Sequence, residues 1–335
     1  MKPKIQIIGY INNYTGGFPK HTKYLCKELS KSFDIIETEI TNDKFEPKKA
    51  DVHILLDLYE KWDKHNIHNL NGIKIGYAVF EGTKLSPNKL ASINLDQIWT
   101  PSHWFKNVLI QHGINDNKIK IVPEGVDCTI YNPYGPKHPK IKSLSSFKFL
   151  SIGRIDERKN FNVMLQAFDE EFKNDNVLLL VFYRGFERKQ YSLLNPHKIV
   201  EIKPNHYSDN ELAQLYRSCD AYISPHKAEG WGLTITEAMA CGLPVITTNY
   251  SAPTEYLTKN NSYWIDFCVK THHFFGHLAE PNFNHFKHLM RKTYQEKTDI
   301  GKQAALDIQT YWTWEKMGLI ATKEINKLLE YEPSK

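Results

Sequence analysis

Little in this chain of 335 residues points to disulfides, to cysteine-bound zinc or to a membrane span. The five cysteines, Cys26, Cys128, Cys219, Cys241 and Cys268, are odd in number and widely spaced, and no two form a Cys-x-x-Cys pair. That spacing disfavours a disulfide framework and a cysteine zinc site, and a reducing cytoplasm is the expected setting. No segment approaches the ~18 consecutive apolar residues of a transmembrane helix. Met1-Lys-Pro-Lys-Ile5 runs into a strand-like segment without the apolar stretch of a signal peptide. The expectation is a protein that is soluble or peripheral to a membrane. Charge of one sign is scarce as well. A net charge of +5 is too small to imply nucleic acid. It is compatible with a nucleoside diphosphate, an anionic polysaccharide or an acidic lipid surface. Asp-x-Asp pairs, internal repeats and low-complexity tracts are absent.

What is present is an alternation of short apolar runs with helical patterns. Hydrophobic residues make up 41% of the chain, enough for real cores, and the length suits two domains of roughly 100–200 residues each. Strands are expected over 5–11, 34–39, 52–56, 73–80 and 97–100, with helices over 18–32 and 102–113. The stretch from Asn132 to Ser146 holds three prolines, a glycine and several lysines, the composition of a connection. A second alternation follows: strand 147–152, helix 161–172, strand 177–183, helix 209–218, strand 221–224, helix 234–241 and strand 245–248. This pattern predicts α/β domains with parallel sheets and helices on both faces. The first is set at 1–140 and the second at 147–311, with a long terminal helix from residue 312. The region after Asp266 is rich in His and Phe and the least legible.

The densest chemistry lies in Glu229-Gly-Trp-Gly-Leu-Thr-Ile-Thr-Glu237. A strand-like run precedes it and a helix begins inside it. Free amides and the helix dipole at such an N-terminus suit an anion such as a diphosphate. Gly230 and Gly232 allow close backbone approach to a ligand. Carboxylates are poor partners for phosphate, so Glu229 and Glu237 suggest sugar or ribose hydroxyls. The acidic residue, the glycine–aromatic–glycine turn and the second acidic residue eight positions on resemble the donor-binding half of glycosyltransferase family 4. Ala238-Met-Ala-Cys-Gly-Leu-Pro-Val245 and Glu211-Leu-Ala-Gln-Leu-Tyr-Arg-Ser-Cys-Asp220 extend the resemblance. It covers most of the chain but is dense only from Ser151 to Leu257.

The resemblance implies the GT-B architecture, in which two Rossmann-like doubly wound domains face each other across a cleft and a C-terminal helix crosses back to the first. It implies a retaining hexosyltransferase of polysaccharide biosynthesis, using a UDP- or GDP-sugar and a glycan or glycolipid acceptor. Glu229 would serve the donor sugar and Glu237 the ribose, with the backbone of Gly230, Trp231, Gly232, Leu233 and Thr234 near the diphosphate. In Gly153-Arg-Ile-Asp-Glu-Arg-Lys159 a strand end is flanked by cations, and positioned cations stabilise charge on a departing diphosphate. Arg154 and Lys159 match the family's glycine–arginine turn with a lysine five residues later and are expected to bind it; Arg158 is expected on the surface. With no Asp-x-Asp pair to hold Mg²⁺ or Mn²⁺, neither a metal nor another cofactor is expected. Rival readings are a non-catalytic nucleotide-binding partner subunit, another GT-B enzyme such as a sugar-nucleotide epimerase or a phosphorylase, and a sugar transferase acting on nucleic acid.

Weaker signals complete the set. Thr15-Gly16-Gly17 closes a strand-to-helix loop, and in the family a similar glycine pair faces the diphosphate. Glu81, at an expected strand end, is a candidate for contact with the acceptor or donor sugar and equally for an N-cap or salt bridge. Many relatives carry a histidine in that part of the first domain. Tyr207, after Lys203-Pro-Asn-His206, resembles the base-contacting loop through its backbone. Glu124 stands where the family usually has asparagine. His226 is a sugar or phosphate contact or a neutral loop histidine. Lys20, Lys23, Lys27 and Lys31 form one helical stripe, a solvated face or a contact for anionic lipid.

Overall fold

The computed structural model describes residues 2–11, 16–65, 67–86, 95–184, 195–202, 207–296 and 298–330. The chain forms two compact units, Met1–Gly125 with Trp312–Lys335, and Val126–Tyr311. The first unit is built on a six-stranded parallel sheet in the order β2-β1-β3-β4-β5-β6. Its strands are β1 Lys4–Gly9, β2 Asp34–Glu39, β3 Val52–Leu56, β4 Ile73–Tyr77, β5 Gln97–Thr100 and β6 Ile119–Ile121. β3 is buried along its whole length, as a strand covered on both faces requires. Helices α1 (Gly17–Leu29) and α2 (His103–Gln111) cover the sheet, and Ser102 caps α2 by accepting from the Phe105 amide at 3.1 Å.

The chain's last helix in the first unit, Trp314–Glu330, packs on α1. Trp314 stacks on Tyr24 with ring centres 5.0 Å apart. Beside them His21 is buried, its Nδ1 3.1 Å from Glu124 Oε1 and its ring edge-on to Tyr77 at 4.2 Å. Glu124, in the position usually asparagine, is therefore part of this buried contact. Of the lysine stripe on α1, Lys31 pairs with Glu28, and Lys23 and Lys27 lie over the Tyr24 ring.

The second unit repeats the plan with the order β12-β11-β10-β7-β8-β9, again parallel throughout. These strands are β7 Phe147–Arg154, β8 Val177–Arg184, β9 Ile199–Ile202, β10 Ala221–Ser224, β11 Val245–Thr248 and β12 Tyr263–Ile265. The helices between and after them are α3 Phe161–Glu171, α4 Asp209–Arg217, α5 Leu233–Ala240, α6 Phe283–Gln295 and α7 Ile300–Tyr311, which makes Trp314–Glu330 α8. Phe149, Phe168, Phe172, Leu179, Ile223, Ile246 and Met290 share one core. β10 and β11 contribute at the sheet centre, with Tyr222 opposite Val245 and Ser224 opposite Thr247. Their carboxyl ends hold the loops in which ligands of such sheets bind.

Several expectations shift. The domain division falls between Gly125 and Val126, ahead of the proline-rich stretch expected to carry it. Arg217 explains why: it donates to the carbonyls of Pro136, Ile130 and Asn132 at 3.0, 3.1 and 3.3 Å and ties that stretch to the second unit. β4 stops at Tyr77, so Glu81 lies beyond the strand end. The region after Asp266 opens with an antiparallel hairpin, β13 Phe267–His272 with β14 Gly276–Pro281. Thr15 and residues 203–206 lie outside the described residues. All five cysteines are free, and burial pushes the thiols of Cys26, Cys219 and Cys241 up. Among the described residues no helix is long and apolar enough to cross a membrane.

The seam between α8 and the rest of the first unit is narrow at Gly125. A Cβ there would stand 2.3 Å from the Trp314 amide nitrogen and 2.5 Å from the Thr313 carbonyl carbon. Backbone cannot give way as a flexible side chain does. Gly125→Ala is expected to destabilise the chain by about 3 kcal/mol, read as a lowered urea midpoint at unchanged slope. A midpoint equal to wild type would show that α8 moves freely.

Candidate donor site

The turn after β7 is where the second unit's cations gather. Asp156 folds back on this turn, its Oδ1 accepting from the Lys159 amide at 2.8 Å. Asn160 then takes left-handed backbone, φ 55°, a conformation asparagine tolerates better than most residues. This geometry brings Arg158 and Lys159 to the loop that follows β10. Lys159 Nζ pairs with Glu229 Oε1. Arg158 Nη1 lies 3.1 Å from Glu229 Oε2 and donates to the Ala228 carbonyl at 2.9 Å. The side chains are 15% exposed at Lys159, 11% at Arg158 and 6% at Glu229. Arg154, at the end of β7, is exposed and has no ion pair or side-chain hydrogen bond among the described residues.

Arg158 is the residue that sequence reasoning missed. It was expected on an exposed basic turn, and the structure turns it inward onto a carboxylate 71 positions away. No local spacing signals a contact of that range. Burial alone would raise the Glu229 carboxyl, but Lys159, Arg158 and His226 outweigh it and hold the group at about 2.

The Glu229 backbone is fixed as firmly. Its amide donates to Ser251 Oγ at 2.7 Å, and Ser251 Oγ donates to the Tyr250 carbonyl at 2.6 Å. Ser251 has φ 61° and is fully buried. Gly232 follows at φ 94°, where a Cβ would lie 2.8 Å from the Tyr256 hydroxyl, so only glycine fits. Leu233 and Thr234 then open α5 with amides that no side chain caps. One turn on, Glu237 is buried; Tyr216 Oη lies 3.1 Å from its Oε2 and 3.1 Å from the Thr234 carbonyl. Burial, reinforced by Glu237, pushes the Tyr216 hydroxyl well up, so it stays protonated as a donor.

The structure thus brings Lys159 and Glu229 into contact, and joins the loop that carries Glu229, Gly230 and Gly232 to the start of α5 and Glu237. Trp231 is a core side chain, 2% exposed, with its carbonyl accepting from Tyr256 Oη at 2.8 Å. Tyr207 stacks on His138 and lies edge-on to Phe182. Gly16 and Gly17 are exposed at the start of α1, and Glu81 is half-buried, all three in the first unit. His226 is fully buried, with Nδ1 3.2 Å from the Ser224 carbonyl and 3.3 Å from Thr247 Oγ1. Burial holds its pKa down at about 4, against the opposing pull of Glu229. Among the described residues no group of three or more His, Cys, Asp or Glu is placed to hold a metal.

With that geometry in place, the comparison with known proteins bears on this unit. Residues 137–275 match the family described as glycosyl transferases, group 1. That span contains Arg154, Lys159, Glu229 and Glu237. A probable sucrose-phosphate synthase of Thermosipho melanesiensis is 28% identical over 227 residues, 64% of this chain and 48% of the relative. Sucrose synthase 1 of Zea mays is 27% identical over 201 residues, 46% of this chain and 25% of that protein. The chain therefore spans half or less of the length of these curated relatives. Among solved structures, a glycosyltransferase from Rickettsia africae aligns with TM-score 0.73 at 17% identity, over 99% of this chain and 100% of that one. Sucrose-phosphate synthase from Thermosynechococcus elongatus gives 0.75 at 13%, over 98% and 100%. Anabaena HepE, solved with UDP and glucose, gives 0.70 at 11%, over 97% and 100%. At such identities the likeness is one of fold, two Rossmann-like parallel-sheet domains as in GT-B glycosyltransferases.

The buried charges set a pH dependence. Unfolded, His226 takes a proton near 6.5, and folded only near 4. Its contribution to stability is complete above pH 6.5 and is lost as pH falls toward 4. Glu229 titrates near 4.5 unfolded and near 2 folded, so its contribution is present above 4.5 and is lost on going down to 2. Stability should decline from pH 6.5 downward, by on the order of 1–3 kcal/mol over each window. His226→Gln should flatten the upper window only. Urea melts at pH 7, 5 and 4 check this, and an unchanged slope in the variant would contradict it.

Proposed function

We propose that the second unit binds a nucleoside-diphosphate hexose, UDP- or GDP-linked, and that the chain transfers the hexose to a hydroxyl of a glycan or glycolipid acceptor with retention at the anomeric carbon. One observation carries the reading: Lys159 and Arg158 of the β7–α3 turn both meet Glu229 of the β10–α5 loop, three residues before the glycine that opens α5. That arrangement sets cations, a hydroxyl-binding carboxylate and free helix amides around one strand edge.

The chemistry then follows. The uncapped amides of Leu233 and Thr234, with Arg154, receive the diphosphate. Lys159 turns from Glu229 to a phosphate oxygen, and Arg158 stays to balance the carboxylate. Glu229 accepts from the hexose and faces the positive charge that grows at its anomeric carbon. The carbon–oxygen bond to phosphate breaks, and its electron pair stays on the phosphate oxygen. The acceptor oxygen bonds to the same face, and its proton passes to that phosphate. Glu237 accepts from the ribose hydroxyls, displacing Tyr216 from part of its carboxylate. Glu81 is the candidate contact of the first unit for sugar or acceptor. Charge neutralisation by Arg154 and Lys159 leaves no metal requirement. The UDP-glucose seen in Anabaena HepE supports the donor class.

The two glutamates should separate on mutation. Glu237→Gln is expected to weaken UDP or GDP binding about tenfold. Glu229→Gln should leave that affinity within about twofold and lower donor hydrolysis about tenfold to a thousandfold. Titration calorimetry alongside donor hydrolysis decides between them; equal loss of nucleotide affinity in both would overturn the assignment.

Turnover should also survive excess EDTA. Activity that vanishes and returns with Mg²⁺ or Mn²⁺ would refute the metal-free reading.

A further inference from the structure

His226 sits in the loop between β10 and Glu229 and has no part in the steps above. Its surroundings determine which ring nitrogen carries the proton. Thr247 Oγ1 gives its own proton to the Ser224 carbonyl at 3.0 Å. Toward His226, at 3.3 Å from Nδ1, that hydroxyl can only accept. The Ser224 carbonyl, 3.2 Å from Nδ1, accepts as well. The Ser224 hydroxyl, 3.4 Å from Nδ1, can turn to accept too. With two groups there that can only accept, the proton belongs on Nδ1. The ring is neutral at ordinary pH, since burial holds its pKa near 4. Nε2 is then a bare lone pair.

That lone pair is buried and has no hydrogen-bond partner among the described residues. A buried acceptor without a partner is costly, and such atoms persist where a ligand supplies the missing group. Three facts put the His226 ring beside the donor site. Glu229, Lys159 and Arg158 are near enough to bias the charge on the ring. Ser224, which holds Nδ1, also lines the recess formed with Gly153, Arg154, Lys159 and Tyr183. Glu229 follows His226 by only three positions. Phosphate oxygens bring no proton to a neutral acceptor, whereas sugar hydroxyls do.

We propose that His226 is a specificity-determining residue of this site, its Nε2 accepting a hydrogen bond from one ring hydroxyl of the transferred hexose. The assignment rests on the donor-binding reading above. His226 and Glu229 would each take a hydroxyl of the same sugar, one as a neutral acceptor and one as a charged one. A site built to satisfy such an acceptor rejects a sugar that lacks the hydroxyl, because the buried nitrogen is left unpaired.

Two measurements on the full chain test this. Nitrogen-15 NMR of the histidines should show His226 protonated at Nδ1, and its Nε2 signal should move on adding UDP-glucose but not UDP. The second compares variants. His226→Asn retains a donor in the place of Nδ1 and deletes the group at Nε2, while His226→Gln restores a polar atom there. With UDP-glucose, or GDP-mannose if GDP stabilises the chain more than UDP, His226→Asn should lower kcat/KM for donor hydrolysis about tenfold to a hundredfold. Affinity for the nucleoside diphosphate should stay within about twofold. Wild type should discriminate against one monodeoxy analogue of the donor, His226→Asn should not, and His226→Gln should regain part of the discrimination. Overturning results are an Nε2–H tautomer, discrimination that persists in His226→Asn, or equal loss on every analogue, as a buried structural water at Nε2 would give. Wild type that binds neither UDP nor GDP nor either sugar nucleotide would bring down the donor reading and this inference with it. Wild type that hydrolyses a donor while His226→Asn keeps the discrimination would bring down the inference alone.

Discussion

Glu229 holds a negative charge where little water reaches it, and it remains ionised because Lys159 and Arg158 meet its two oxygens. Removing a carboxylate from water is expensive, and a buried pair offsets that cost only with good geometry and every lone pair engaged. Much of the surrounding backbone provides that geometry. The left-handed Asn160 aims the β7–α3 turn, Ser251 anchors the Glu229 amide, and Gly232 starts α5 within reach. Two cations on one carboxylate also leave the cluster with net positive charge, the sign that the proposed diphosphate calls for. The family match over residues 137–275 covers this constellation, which gives the shared sequence a physical content.

The first unit rests on a different kind of contact. Its last helix comes from the far end of the chain and is seated by the Trp314–Tyr24 stack and by the close approach at Gly125. The His21–Glu124 pair lies beside that seam. Glu124 gives His21 a carboxylate partner inside the core.

The order of elements was legible because parallel strands covered on both faces read as unbroken apolar runs. Val52–Leu56, Ala221–Ser224 and Val245–Thr248 appear with the bounds their sequences suggest, and Asp34–Glu39, an edge strand, was marked by its paired isoleucines and β-branched threonine. β9 and β12 were missed, being edge strands of four and three residues with partly exposed faces. The hairpin β13–β14 was missed because β13 has little burial to impose an alternation. Lys159, Glu229 and Glu237 could be named from spacing and chemistry. Arg158 could not, since only the folded chain shows that it turns inward beside Lys159 while Arg154 stays exposed. Trp231 reads as part of the expected ligand loop, but its side chain belongs to the core and its carbonyl accepts from Tyr256.

Ser251 has a consequence for anyone engineering this chain. Its φ of 61° lies where a residue with a Cβ is strained, by about 1–3 kcal/mol, and glycine would relieve it. The hydroxyl that glycine lacks is the one that holds the Glu229 amide. Losing it would leave a buried amide unpaired, a cost of about 1–3 kcal/mol that offsets the relief, so serine at this position holds the carboxylate in place at no net gain from a glycine.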